Sequence, residues 1–169
     1  MSVEPQPTPQ AKPADILGFG IAMAAIGLYI VLVALDVLPI PDGGVRAPAF
    51  ILVLAGLAFM FAGASLMIRA RAGASDGDGD LPATAPRASH IAYRAIGIAI
   101  AASLAAIGSW IAIGSGPRHF DMSIPLAGAA PAGNALGRTI FGLGAVIVWI
   151  YVIALTVGTV RKIFDRSGK

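Results

Sequence analysis

Gly137-Arg138-Thr139-Ile140-Phe141-Gly142 opens a run that closes only at Arg161-Lys162, and the roughly twenty residues between those basic ends carry no charge. A helix rises roughly 1.5 Å per residue, so this run reaches across the roughly 30 Å hydrocarbon core of a bilayer. Three earlier runs repeat the pattern, at about 16–38, 48–68 and 93–113, with the last at about 138–160. The expected fold is an all-α integral membrane protein whose four transmembrane helices form two hairpins.

Composition agrees. Of 169 residues, 57% are hydrophobic and 12% charged, with a mean hydropathy of +0.81. A soluble domain carries about a quarter charged residues. The chain has no cysteine, which excludes disulfides, thiolate metal ligands and Cys nucleophiles. Its net charge of +3 comes from basic residues at the ends of apolar runs. Membrane topology accounts for them there, so no nucleic-acid partner is expected.

Residues 1–15 are proline-rich with little to pack, and read as a disordered cytoplasmic tail. The run that follows is too long for a signal-peptide core, so the first span is expected to stay uncleaved. Pro39 and Pro41 stop it. Gly20 and Ala24 make a small-xxx-small pair, with Gly27 on a neighbouring face. Span two starts at Pro48 and places Gly56 and Gly63, seven apart, on one face.

The polar connection 69–92 contains Asp76, Asp78 and Asp80 in alternation, like the opening of a calcium loop. Leu81 and Arg87 stand where that loop needs a glycine and a bidentate acid, so a flexible linker and no metal are expected. Span three repeats Gly97, Ala101, Ala105 and Ser109 every fourth residue. Helices in lipid associate through small residues that allow close approach, and this stripe is the expected tightest contact. The 114–137 connection is read as an outer loop, solvated or re-entering the interface. Span four offers Gly142 and Gly144 for packing, and a 161–169 basic tail follows. Trp149 falls mid-span, where its indole N–H needs a partner; Ser103 is the expected one.

Lys and Arg set orientation. The two tails and the 69–94 connection hold nine of them; the other two loops hold Arg46, Arg118 and Arg138. Both termini are therefore expected in the cytoplasm, in a bacterial inner membrane. Two hairpins, each with an Arg shortly before a Phe (Arg46 and Phe50, Arg138 and Phe141), also hint at an internal duplication.

Chemistry is sparse. His90 and His119 lie on opposite sides, and no span has an ionisable residue at its centre, as ion-coupled carriers usually do. No catalytic residue and no cofactor is expected; a membrane enzyme working through His119 with Asp121 or Asp36 is the weakest reading. Asp36, Asp42, Arg46, Arg118, His119, Asp121 and Arg138 converge on the outer side. Asp36, Arg46, Arg118, His119, Asp121 and Arg138 are the candidates for docking a ligand or partner. Mutual ion pairing and interfacial anchoring are the simpler explanation of them, and the favoured one.

Leu38-Pro39-Ile40-Pro41-Asp42-Gly43, followed by Arg46-Ala47-Pro48-Ala49-Phe50, resembles the first hairpin of the small membrane subunit of tripartite tricarboxylate transporters, over roughly residues 15–70. The resemblance implies an accessory to a large permease and a periplasmic binding protein. The second half departs from that family. There, Gly-Pro-Arg-x-Phe at 116–120 and Gly-Arg-x-x-Phe-Gly-x-Gly-Ala at 137–145 resemble small bacterial membrane proteins of no assigned role. The expected function is a non-catalytic accessory subunit of a transporter or other inner-membrane complex; the alternative is a self-associating structural or sensing protein. The expected partners are the lipid bilayer and either a larger permease or a second copy of the chain.

Overall fold

Prolines and arginines punctuate the apolar runs, and the computed structural model turns each run into one helix. It describes residues 12–39, 47–74, 80–114 and 133–167. The helices are α1 (Pro13–Ala34), α2 (Ala49–Ala72), α3 (Arg87–Ile113) and α4 (Gly133–Ser167), with no strand among the described residues. Each holds a stretch long and apolar enough to cross a membrane: Pro13–Ala34, Ala49–Ala72, Arg87–Ile113 and Ala135–Arg161. The chain is read accordingly as a multi-pass membrane protein.

The helix ends differ from the expected span ends, for local reasons. α1 stops at Ala34 rather than Leu38 because Asp36 turns left-handed (φ 55°). The Val37 N–H then donates to the Leu32 carbonyl (2.9 Å) and the Asp36 N–H to the Val33 carbonyl (3.1 Å). This is a Schellman closure, with an aspartate where glycine is usual. α2 closes the same way on Gly73 (φ 66°), through Ala74 N–H to Arg69 carbonyl (3.1 Å) and Gly73 N–H to Ala70 carbonyl (3.3 Å). It runs past Ile68 and so takes Arg69 and Arg71 into its last turn, where cations suit the helix dipole.

α3 starts at Arg87, not Tyr93. Pro86 presets the entry, and its carbonyl accepts the N–H groups of Ser89 (3.0 Å) and His90 (3.3 Å). Outside the bilayer a polar sequence can remain helical, which also carries α4 beyond Arg161 to Ser167.

Packing is sequential. α1 touches α2, α2 touches α3 and α3 touches α4, with no α1–α4 contact among the described residues. The four helices form an open row. Successive helices run antiparallel, as their pairings show: Gly20 with Gly63, Gly27 with Gly56, Phe50 with Trp110, and Gly108 with Ala145.

The tightest seam is α1–α2, not the α3 stripe. A Cβ on Gly27 would stand 2.5 Å from the Gly56 carbonyl oxygen, and one on Gly56 would stand 2.7 Å from that of Gly27. One turn-pair away, a Cβ on Gly20 would lie 2.9 Å from the Gly63 carbonyl, and one on Gly63 would collide with the Gly20 carbonyl. All four glycines are buried. Gly27 therefore shares the line of Gly20, seven residues on, rather than lying on a neighbouring face. Backbone meets backbone here, which only glycine permits, and close approach of this kind holds helices together where lipid supplies no hydrophobic drive.

The α2–α3 seam carries an edge-to-face aromatic pair, Phe50 on Trp110, with centroids 6.2 Å apart and planes at 89°. The α3–α4 seam is looser. A Cβ on Gly108 would meet the Ala145 Cβ at 3.3 Å, and one on Gly142 the Ala112 Cβ at 3.4 Å. Ala105 is fully buried at 0% exposure.

The expected α3 stripe divides. Ser109 lies in the α4 seam, Ala105 is buried, Ala101 is half-buried, and at Gly97 a Cβ would meet nothing within 4 Å. Of the two glycines expected to pack α4, Gly142 faces α3, whereas a Cβ on Gly144 meets nothing within 4 Å. Two residues along a helix turn a side chain about 200°, so the two could not share one seam.

Candidate functional site

Of the expected outer cluster, Asp42, Arg46, Arg118, His119 and Asp121 lie outside the described residues. Asp36 and Arg138 lie within them, and each has a structural task. Asp36 holds the left-handed turn that ends α1 and is exposed. Arg138 reaches from the first turns of α4 to the end of α3, where its guanidinium donates to the Gly114 carbonyl oxygen at 2.7 Å. That carbonyl follows the last turn of α3, so a fixed cation there satisfies an orphan acceptor and complements the dipole. Arg138 clasps the two helix ends together.

The mid-span indole has a partner, but not Ser103. Trp149 Nε1–H donates to Ser109 Oγ at 3.1 Å, and Ser109 Oγ donates to the Ala105 carbonyl at 2.8 Å. Side chains on a helix lean toward its N-terminus. Trp149 therefore leans toward the Gly133 end of α4, and in an antiparallel pair that is the Ile113 end of α3. Its ring reaches Ser109 rather than the deeper Ser103, whose hydroxyl turns back to the Ala99 carbonyl at 2.9 Å. The bond pins the register of α3 against α4.

Below this pin the two helices border a shared groove. A groove of about 400 Å³ opens between the first half of α3 and the last half of α4. Its α3 wall is Tyr93, Arg94, Gly97 and Ile98; its α4 wall is Tyr151, Ala154, Leu155, Gly158 and Thr159. Asp80, from the connection before α3, completes the rim. Gly97 and Gly158 give it depth, since a Cβ at either position would meet nothing within 4 Å. Its volume lies at the low end of small-molecule sites, about 300–1,000 Å³.

The groove escaped sequence reading because its residues come from two helices paired only by register. A signal was nonetheless present. Gly97 and Gly158 each stand three residues inside a terminal arginine, Arg94 and Arg161, at matched positions on antiparallel spans. Among the described residues no group of three or more His, Asp or Glu side chains could hold a metal.

No protein-family model matches the chain, and neither the curated proteins nor the solved structures contain a match to it.

Proposed function

We propose that the protein is a non-catalytic accessory subunit of a transporter or other bacterial inner-membrane complex, its helices set as two hairpins with both termini cytoplasmic. The open row carries this reading. α1 contacts only α2 and α4 contacts only α3 among the described residues, so the two outer helices each leave a long face for another membrane protein. Large apolar side chains such as Leu143, Ile147, Ile150 and Ile153 stand more than half exposed along α4. None of the described span centres holds a charge from which the chain could build an ion path of its own. The nine-to-three split of Lys and Arg supports the orientation. The first hairpin's resemblance to the small subunit of tripartite tricarboxylate transporters supports the class.

The second reading, self-association, draws on a different observation. Gly18 and Gly144 offer small surfaces that none of the described residues covers, for a Cβ on either meets nothing within 4 Å. One experiment separates the two. A tagged chain is crosslinked in native membranes, gently solubilised, and its complex weighed and identified. The accessory reading expects a larger membrane protein at fixed stoichiometry. Recovery of the chain alone, as a homo-oligomer, sinks that reading in favour of the second.

A further inference from the structure

The groove between α3 and α4 spans a physical boundary. Arg94 is the last charged residue of α3, and Arg161 the first on α4 after Arg138. The hydrocarbon therefore begins just past Arg94 on one wall and just before Arg161 on the other. In a bilayer so placed, Arg94, Asp80 and Thr159 would lie at headgroup depth, and Gly97, Gly158 and Leu155 below it. From Thr159 to Tyr151 the groove runs eight residues, about 12 Å along the helix, into the apolar layer.

Its glycines are not helix-contact residues. Those at 20, 27, 56 and 63 press on a neighbouring backbone, whereas Gly97 and Gly158 leave space that a side chain would fill. Interior glycine costs helix stability, and here the missing side chains yield a trough beside a charged rim. The rim carries both signs, Arg94 and Asp80. An arginine matches a phosphate, and a carboxylate matches an ammonium.

We propose that this groove binds one zwitterionic phospholipid with a primary-amine headgroup, a phosphoethanolamine lipid. The phosphate meets Arg94, the ammonium meets Asp80, and one acyl chain lies over Gly97 and Gly158. A purely anionic lipid would satisfy Arg94 and be repelled by Asp80. A headgroup with a quaternary amine keeps its charge but has no N–H to donate to the carboxylate.

The test is native mass spectrometry of the full chain in mild detergent. Phosphatidylethanolamine, phosphatidylcholine and phosphatidylglycerol of identical acyl chains are offered at equal concentration. The wild type is expected to retain one phosphatidylethanolamine in preference to the other two. Gly97→Leu and Gly158→Leu, which fit the empty space, should lose that lipid; Gly144→Leu, also into open space but outside the groove, should keep it. Arg94→Gln should lower retention by about fivefold, the effect of one interfacial cation. Asp80→Asn should erase the preference for phosphatidylethanolamine over phosphatidylcholine. Helical circular dichroism and an unchanged thermal midpoint certify that the leucine variants fold. Equal retention of all three lipids by the wild type overturns the proposal, since that is ordinary annular lipid. Lipid retention unchanged in Gly158→Leu, with or without a shift in oligomer mass, also overturns it; a mass shift would mark the trough as a seat for a second copy's helix.

Discussion

Gly56 and Gly108 are both interior glycines facing the antiparallel neighbour, one in the α1–α2 pair and the other in α3–α4. A Cβ on the first would strike the Gly27 carbonyl at 2.7 Å and approach the Val31 backbone nitrogen at 3.1 Å. A Cβ on the second would touch only the Ala145 Cβ at 3.3 Å, with the Phe141 carbonyl at 3.6 Å. The first pair is held by backbone proximity along its length. The second is held by an alanine and glycine seam at one end, one indole–hydroxyl bond and an arginine clasp, and it opens into a groove at the other. The same small residues thus make a closed joint in one pair and a site in the other. Composition cannot tell these apart; what stands opposite each glycine can.

The largest expected effect is at Gly56. Gly56→Leu drives a side chain into backbone that cannot yield, and should destabilise the pair by about 3 kcal/mol or more, at the upper end of overpacking costs. Reversible unfolding in bicelles measures it, and a change below about 1 kcal/mol would refute the glycine joint. Gly108→Leu should cost less, about 1–2 kcal/mol, because an alanine methyl is the obstacle. Gly144→Leu should stay within about 0.5 kcal/mol, having nothing to displace. If those two leucine variants unfold alike, the α3–α4 seam is misplaced.

A finer probe concerns the pin. A double-mutant cycle of Trp149→Phe and Ser109→Ala should give a coupling of about 0.6 kcal/mol, typical of interhelical hydrogen bonds in membranes. Ser103→Ala paired with Trp149→Phe should give additive effects. Coupling through Ser103 instead of Ser109 would mean that α4 is shifted by more than a turn.

The smallest expected effect is a gain. α1 and α2 close with the same hydrogen bonds, one on Asp36 and one on Gly73. Asp36→Gly relieves the left-handed aspartate and removes an anion from a helix C-terminus. It should stabilise the first pair by about 0.5 kcal/mol. A loss of stability would show that the carboxylate makes a contact worth more than its strain.

Much of this fold was legible. Four uncharged runs give four helices, because a bilayer demands length and apolarity and little else. Gly56 and Gly63 could be placed on one face from their spacing alone. What spacing could not supply was the partner, since every small-residue stripe looks alike until a register is known. Gly97 and Ala105 belong to one stripe, yet one borders empty space and the other is fully buried. Trp149 was matched by depth to Ser103, when the lean of its side chain carries it to Ser109. Helix ends moved because Asp36 accepts a turn that the apolar run did not forecast, and because polar residues after Pro86 stay helical in water. Asp36 and Arg138 were singled out from sequence as docking candidates; within the fold one ends a helix and the other clasps two.

The sequential row has a consequence for how the protein is made. Among the described residues every helix packs on the one synthesised just before or after it, and no contact waits for the first helix to meet the last. Loop closure between chain neighbours is entropically cheap, and local contacts form early. The glycine joint can therefore set as soon as Ala72 leaves the ribosome, while α3 and α4 are still to come. The sequential contacts thus permit assembly in the order of translation, each new helix meeting a neighbour already made.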